Sequence, residues 1–302
     1  MIMKHKLRGS LSLLAATLIW GSAFIAQSVG MDHIGPFTFQ TIRCGLAVLF
    51  LAPFSLLFDK GNWKECMRKW LDPKLWKAGL LCGLALFAAA SLQQVGLVYT
   101  DAGKAGFLTA MYIVLVPVLG LFLKRKPPKS AFLSVILAVA GLYLLSCMGV
   151  TEVNKGDILT LGCAFAYAVQ ITCVDRLAPN LDGLRLNCVQ ALVTTVLSVP
   201  FMLLTETVVM ENILICALPL CYAGILSMGV AYTLQIVGQK DLEPTTASLI
   251  MSLESVIAAL CGWLILKETM TVPELLGCAL VFAAVILSQL PEKSSRSAAC
   301  TG

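Results

Sequence analysis

The sequence predicts an all-α integral membrane protein whose ten transmembrane helices form two inverted five-helix repeats. Three observations lead to this prediction. Of 302 residues, 58% are hydrophobic and 13% are charged, with a mean hydropathy of +0.86, whereas about a quarter of the residues in soluble domains are charged. Apolar stretches of about 20 residues, the length that crosses a bilayer, follow one another along the chain. The phrase SLQQVG at 91–96 also returns as TLQIVG at 233–238.

Ten apolar stretches bounded by charged or turn residues are predicted as spans. They cover residues 10–29, 36–57, 77–100, 102–123, 130–149, 156–177, 184–205, 213–238, 245–266 and 272–290. The first stretch could instead belong to a cleaved secretory signal, although no small-x-small cleavage site follows it. The longest connector, 59–77, sets tryptophans among basic residues, which suits a short helix at the headgroup level; a surface loop is the alternative.

Lysine and arginine predict the orientation, because cytoplasmic segments hold an excess of them. Of the 22 Lys and Arg, eighteen lie before the first span, in the even-numbered joints or in the tail, and three lie in the opposite joints. Both termini are therefore predicted to face the cytoplasm, in a multi-pass protein of the cytoplasmic (inner) membrane. The net charge of +5 is then a topology signal and does not indicate nucleic-acid binding.

The recurring phrase extends to the neighbouring spans. A shift of 142 residues aligns the two phrases and carries Ala105 onto Ala247, and a shift of 147 places Pro53 on Pro200 in the earlier spans. Spans one to five thus match spans six to ten, and the predicted units are residues 1–150 and 151–302. Because five is an odd number, the second unit lies upside down relative to the first.

Inverted repeats predict how such a chain works. Secondary transporters are often built in this way, with the solute site near the midplane where the halves meet. Two similar halves that differ in orientation can exchange conformations, which opens a shared cavity first to one side and then to the other. Prolines at 53, 117 and 200 fall within spans and are expected to bend them.

Two charged residues within the spans mark the predicted pathway. A charged side chain at a helix centre costs about 2.5 to 3.5 kcal/mol on insertion scales, so it normally faces the bundle interior. Glu254 is ten residues into the ninth span, which is about 15 Å at 1.5 Å per residue and close to the midplane. Arg43 is roughly 10 Å deep from the other side. The two could form a buried ion pair; alternatively Arg43 extends to the interface or braces backbone carbonyls.

Glu254 is predicted to have a functional role. A carboxyl group in a cavity that wets from alternate sides can take up a proton on one side and release it on the other. It would then couple transport to protons. A counter-ion to a solute ammonium group, or a hydrogen bond to a neighbouring helix, are the alternatives.

Neutral amide and aromatic side chains in the spans complete the predicted solute-binding set. They suit a zwitterionic or amphipathic solute better than a polyanion. For any one of them, a helix–helix hydrogen bond is the structural alternative, worth about 0.6 kcal/mol. Gln93 and Gln235 are preferred because the repeat keeps both. Together with Arg43, the set comprises Trp20, Gln27, Gln40, Gln93, Gln94, Tyr99, Tyr112, Tyr167, Gln170, Asn187, Gln190, Tyr232 and Gln235.

Four short motifs fit one known layout of ten spans: WGSAF at 20–24, TDAGKA at 100–105, LESV at 253–256 and LKE at 266–268. Through them the chain resembles the EamA-type branch of the drug/metabolite transporter superfamily. The resemblance implies a secondary carrier of small organic solutes, often an exporter of amino acids or related metabolites. The chain departs from the usual pattern at Ser255, where the family has Pro, and at Lys267, where it has Gly.

A membrane-embedded enzyme is the rival class. Such an enzyme needs an acid, base or metal cluster, but His5 and His33 are the only histidines and lie outside the predicted spans. HExxH, GxSxG and GxxxxGK are absent, and the twelve Cys contain no CxxC pair. No catalytic residue, metal or other cofactor is therefore predicted. An exporter of multiple drugs or quaternary amines, or a passive facilitator, remains open. A monomer suffices to enclose a pathway, and a homodimer is compatible with the sequence.

Overall fold

A computed structural model describes residues 2–57, 59, 63–100, 102–124, 129–146, 153–265 and 270–289. Across these residues the regular elements are all helical, and no strand is formed. The ten spans, in chain order, are Ile2–Met31; Pro36–Leu57; Pro73–Gly96; Ala102–Ala110 with Tyr112–Phe122; Lys129–Ser146; Lys155–Leu177; Gly183–Thr205; Ala217–Cys221, Tyr222–Ala231 and Tyr232–Gln239; Pro244–Met251 with Leu253–Ile265; and Val272–Gln289. Two short helices, Trp63–Trp70 and Met210–Ile215, lie between spans.

The helices have the dimensions of a membrane protein. In the described parts of the chain, nine helices are long and apolar enough to cross a bilayer, and the fifth span contributes a shorter apolar helix, Ala131–Leu145. The predicted all-α membrane fold with ten spans is therefore confirmed. The predicted unit boundary between residues 150 and 151 falls outside the described residues.

The predicted boundaries of the first and third spans were wrong. The first helix begins at Ile2 rather than residue 10, so His5 lies within it. The third helix begins at Pro73 because the Asp72 carboxylate accepts the Lys74 N–H at 2.9 Å and proline is suited to a first turn. It ends at Gly96, four residues earlier than predicted.

Each contact between two spans is repeated by the equivalent spans of the other half. The third span packs on the sixth and seventh, and correspondingly the eighth packs on the first and second. The fourth span packs on the sixth just as the ninth packs on the first. The second span pairs with the seventh and the fifth with the tenth, each pair being its own counterpart. This pattern of contacts is the one expected of two inverted five-helix units.

Glycines at equivalent positions of the two halves allow pairs of helices to cross at close range. A Cβ atom built on Gly156 would lie 2.7 Å from the Gly96 carbonyl oxygen, and one built on Gly238 would lie 2.9 Å from that of Gly9. The shifts of 142 and 147 residues carry Gly96 onto Gly238 and Gly9 onto Gly156. The backbone contact between spans three and six is thus repeated between spans eight and one.

A polar contact also repeats, with one difference. The Gln40 amide donates to Ser91 Oγ at 2.9 Å, and the equivalent Asn187 amide donates to the equivalent Thr233 Oγ1 at 2.9 Å. Asn187 donates further to the carbonyl oxygen of Gly229 at 2.8 Å. That carbonyl belongs to Tyr222–Ala231, a π-helical stretch of the eighth span, whereas the third span is α-helical throughout. The repeat is therefore broken locally by a widened turn beside the centre of the bundle.

Candidate functional site

A cavity with about 520 Å³ of empty space lies where spans from both halves converge. Seven spans contribute to its wall: the first, second, third, fourth, sixth, eighth and ninth. The lining residues are Trp20, Phe24, Gln27, Arg43, Gln93, Tyr112, Tyr167, Ile171, Ser227, Tyr232, Gln235, Met251 and Glu254.

Two of the helices that meet at the cavity are interrupted at equivalent positions. The fourth span breaks at Met111 and the ninth at Ser252, one residue apart after the shift of 142. Both breaks contain i→i+3 hydrogen bonds, from Val114 N–H to Met111 O at 3.0 Å and from Ser255 N–H to Ser252 O at 3.3 Å. Such tightened turns within a helix often mark functional hinges.

A residue just after each break, one position after Met111 and two after Ser252, contacts the other half. Tyr112 and Glu254 are equivalent under the shift of 142 residues. The Tyr112 hydroxyl donates a hydrogen bond to Glu254 Oε1 at 3.2 Å. Both side chains line the cavity and are buried, with Glu254 7% exposed. The two halves therefore meet in a contact between a phenol and a carboxyl group.

Aromatic side chains surround this contact. The Tyr167 hydroxyl donates to Gln93 Oε1 at 3.3 Å and lies 3.1 Å from the Tyr232 hydroxyl. The Trp20 ring packs edge-on against Tyr232 with 4.9 Å between centroids. These hydrogen bonds fix the phenol oxygens at the cavity wall, where they can exchange partners with a bound solute.

Arg43 lies in the cavity wall and is only 4% exposed, which disfavours the alternative that it extends to the interface. Its Nη1 donates to Gln27 Oε1 at 2.6 Å and its Nη2 lies 3.5 Å from Gln40 Oε1. It thus braces side-chain amides rather than backbone carbonyls. Among the ion pairs of the described residues there is none between Arg43 and Glu254, although the same cavity contains both.

Three buried polar atoms of lining residues have no hydrogen-bond partner within the described part of the chain: Trp20 Nε1, Arg43 Nε and Gln235 Oε1. Buried polar groups are nearly always hydrogen-bonded. Two donors and one acceptor at one cavity are thus suited to bind a solute that has both kinds of group.

Several predicted binding residues lie behind the wall. The Gln235 amide donates to Gln170 Oε1 at 3.0 Å, Gln170 lies 3.4 Å from Gln190 Oε1, and Gln190 donates to Asn187 Oδ1 at 2.8 Å. This chain of amides connects the cavity to the π-helical stretch that Asn187 binds. Gln40 likewise lies behind Arg43.

Two predicted residues lie away from the cavity. Tyr99 is 55% exposed because the third helix ends at Gly96 and a turn follows. Gln94 is fully buried but does not line the cavity, and neither of its amide atoms has a partner among the described residues.

Sequence reasoning missed Phe24, Ile171, Ser227 and Met251, which line the cavity. Helical spacing was the available signal for three of them. Phe24 lies four residues after Trp20, Ile171 four after Tyr167, and Met251 three before Glu254, so each shares a helix face with a predicted residue. Ser227 lies in the π-helical stretch, where residues three or four apart no longer share a helix face as they do in an α-helix, so helical spacing could not have found it.

The family follows from comparison with known proteins. The family model "EamA-like transporter family" matches residues 7–147 and again residues 154–290. The chain belongs to the EamA-like transporter family. This family is part of the drug/metabolite transporter superfamily, so the resemblance seen in the motifs is confirmed, and so is the prediction of a multi-pass membrane transporter.

Relatives of this EamA-like transporter carry transporter names. A protein of Archaeoglobus fulgidus named "Uncharacterized transporter" is 33% identical over 94% of this chain and 87% of its own. The threonine/homoserine exporter RhtA of Escherichia coli K12 is 28% identical over 92% of this chain and 90% of its own. A crystal structure of 16% identity superposes with a TM-score of 0.76 over 93% of this chain and 96% of that one, which shows a shared fold.

Proposed function

We propose that this EamA-like transporter moves a small zwitterionic organic solute, such as an amino acid or a related metabolite, across the cytoplasmic membrane by alternating access. The single observation that carries the proposal is the meeting of Tyr112 and Glu254, at equivalent helix breaks of two inverted halves, inside one cavity. Discontinuous helices at a repeat interface are the usual setting of a transporter's solute site. Export or exchange is the proposed direction, in line with the name of the relative RhtA.

The charges in the cavity suit a zwitterion. Arg43 keeps one guanidinium N–H unpaired among the described residues and can donate it to a carboxylate. Glu254 accepts one hydrogen bond, from Tyr112, and can accept more from an ammonium group. The amides of Gln27 and Gln93 supply neutral contacts between these charges. A polyanion finds a single cation at this site and is disfavoured.

Alternating access follows from the exchange of conformations between the two units, residues 1–150 and 151–302. When the breaks at Met111 and Ser252 bend in turn, the cavity opens to one side and closes to the other. Glu254 takes up a proton when acidic water reaches it and releases the proton on the opposite side, which couples the movement of solute to the proton gradient. Transport of this kind requires no bond making in the solute, so no residue is assigned a catalytic role. The excess of Lys and Arg before the first span, in the even-numbered joints and in the tail supports a cytoplasmic position for both termini.

A second solute class has support from one observation. Trp20, Tyr112, Tyr167 and Tyr232 line the cavity beside a single carboxyl group. Aromatic faces attract ammonium and quaternary ammonium groups through cation–π interactions. An exporter of organic amines is therefore the alternative to an amino-acid carrier, and passive facilitation is the alternative to proton coupling.

The test begins with a thermal-shift screen of purified protein against amino acids, nucleobases, vitamins and quaternary amines, because a ligand of the folded state raises the melting temperature. The best ligand is then followed in proteoliposomes with and without a pH gradient. Glu254→Gln keeps the acceptor for Tyr112 and is expected to abolish pH-dependent flux while the protein remains folded. Glu211→Gln, an exposed residue of the short helix Met210–Ile215, is the matched control. Full flux with an unchanged pH profile in Glu254→Gln would contradict the proposal.

A further inference from the structure

The short helix Trp63–Trp70, between the second and third spans, is docked rather than free. Its Cys66 side chain is buried, at 3% exposure, and the Trp70 indole N–H donates to Ser55 Oγ at 3.2 Å. Trp76, in the third span, donates its indole N–H to the Trp70 carbonyl oxygen at 2.7 Å. The helix is thereby fastened to the ends of both neighbouring spans.

A second set of contacts fixes the same helix to the other half of the protein. Arg185, near the start of the seventh span, is 3% exposed. Its Nη2 donates to Asp59 Oδ2 at 2.5 Å and lies 3.3 Å from Cys66 Sγ. Its guanidinium carbon is 5.8 Å from the centroid of Trp70. The inner face of the helix is therefore held in place, and its outer face has a defined position.

The outer face carries two basic residues one turn apart. Lys64 and Arg68 are exposed, and neither forms an ion pair with any residue that the structure describes. The adjacent Lys69 differs, since its ammonium group pairs with Asp59 at 2.8 Å. The nearby Asp72 carboxylate accepts the Lys74 N–H at 2.9 Å as the cap of the third span. The helix also carries the exposed Glu65, and with Lys64, Arg68 and Lys69 against this one carboxylate, positive charge exceeds negative charge on the helix.

The basic residues border a groove with an apolar floor. The groove has about 1260 Å³ of space open to its surroundings. Trp63, Met67, Leu71 and Pro73 supply the apolar part, and Trp63 and Leu71 are 63% and 76% exposed. Water is an unfavourable environment for these two side chains. Because two membrane spans end beside the helix, at Leu57 and Pro73, the groove lies at the bilayer surface.

We propose that this groove binds the headgroup region of an anionic phospholipid. The lipid phosphate is held by Lys64 and Arg68, and the glycerol and upper acyl chains pack on Trp63, Met67 and Leu71. Basic residues on a short amphipathic helix beside a span attract anionic lipids. Exposed tryptophan is also enriched at the depth where the headgroups meet the acyl chains. A zwitterionic phospholipid has no net charge to balance Lys64 and Arg68, so the groove selects against it. The proposal concerns a surface outside the cavity and does not depend on the solute that is transported.

The test measures thermal unfolding of the purified full-length protein in a neutral detergent, with added phosphatidylglycerol, phosphatidylcholine or inorganic phosphate. Phosphatidylglycerol is expected to raise the melting temperature of the wild type, and the other two are not. In Lys64→Gln/Arg68→Gln the affinity for phosphatidylglycerol is expected to fall roughly 10- to 30-fold. Lys4→Gln/Lys6→Gln removes the same charge from exposed positions of the first helix and should retain wild-type affinity.

Three outcomes would overturn the proposal. Equal stabilisation by phosphatidylcholine would show that charge plays no part. Undiminished affinity in Lys64→Gln/Arg68→Gln would place the lipid elsewhere. Equal stabilisation by inorganic phosphate would assign the site to a free anion. Counting bound lipids on the wild-type protein by native mass spectrometry gives a second readout that needs no variant, and a preference for phosphatidylglycerol over phosphatidylcholine is the expected result.

Discussion

The contact between Asp59 and Arg185 allows a quantitative stability prediction. Arg185 is 3% exposed, and the Asp59 side chain is 5% exposed. Asp59→Asn removes the negative charge and leaves the guanidinium buried beside Cys66, Trp70 and an uncharged amide. The protein is expected to be strongly destabilised, because the buried guanidinium loses its buried counter-ion and keeps only the half-exposed Asp182 carboxylate, 3.4 Å from Nη1.

The size of the expected loss of stability follows from the burial of the ion pair. Breaking a buried ion pair by removing one partner costs about 3 to 5 kcal/mol. Asparagine retains one oxygen that can accept from Arg185, so the lower end, about 3 kcal/mol, applies. Lys69 also loses its partner, but its side chain is 49% exposed, and an exposed pair contributes under about 1 kcal/mol. The melting temperature should therefore fall by roughly 6 to 10 °C.

Asp182→Asn is the matched control, because it removes the same charge beside the same arginine. The Asp182 carboxylate is 3.4 Å from Arg185 Nη1 but 46% exposed. It caps the seventh span by accepting the Arg185 backbone N–H at 2.9 Å, and asparagine caps equally well. Its loss should cost less than about 1 kcal/mol. Thermal unfolding in detergent micelles measures both variants. Equal melting temperatures for Asp59→Asn and Asp182→Asn would refute the reasoning, as would a failure of Arg185→Met to restore part of the stability of Asp59→Asn.

Two further predictions concern packing and topology. A Cβ atom on Gly277 would lie 2.5 Å from the Gly141 carbonyl oxygen, so Gly277→Ala should cost about 1 to 3 kcal/mol through overpacking. A Cβ atom on Gly120 would have no heavy atom within 4 Å, so Gly120→Ala should instead raise the free energy of unfolding by about 0.5 to 1 kcal/mol. Similar melting temperatures for the two variants would contradict this packing. Single cysteines in place of the exposed Glu65 and Val153 should react with an impermeant maleimide from opposite faces of the membrane, and reaction from the same face would contradict the inverted arrangement.

The spans could be predicted from the sequence because each is an apolar run of sufficient length, and hydropathy depends only on local composition. The repeat was predictable because the phrase at 91–96 keeps its glutamine and glycine at 233–238. The two copies of the phrase place their glutamines on equivalent helix faces, and Gln93 and Gln235 both line the cavity. Glu254 also lies in the cavity wall, since a charged side chain within a span has few other favourable places.

The helix breaks could not be predicted in the same way. Prolines were expected to bend the spans, yet the interruptions lie at Met111 and Ser252, and Pro53 and Pro200 lie inside continuous helices. Neither Met111 nor Ser252 is a helix breaker by type. Their conformation depends on the packing of spans from both halves against one another, which the local sequence does not encode.

The hydrogen-bond partner of Arg43 could not be predicted from the sequence either. Depth along the helices placed Arg43 near Glu254, and that estimate ignores the direction of the side chain. Arg43 instead donates to Gln27, sixteen residues earlier in the first span. The π-helical stretch Tyr222–Ala231 similarly depends on a tertiary contact, the hydrogen bonds from Asn187 to its carbonyl groups. Such partners become visible only when the helices are assembled.

The proposed alternating access requires that one cavity between the two halves is reached from both sides of the membrane in turn. The test introduces Ser227→Cys, in the cavity wall, into a variant whose native cysteines are replaced. The reaction of this cysteine with an impermeant thiol reagent is measured in right-side-out and in inside-out vesicles. Leu86→Cys, fully buried and outside the lining, serves as the unreactive control. Ser227→Cys is expected to react from both faces, and a ligand found in the thermal-shift screen is expected to slow the reaction. Reaction from one face alone, under every pH gradient and ligand tested, would contradict the proposed alternating access.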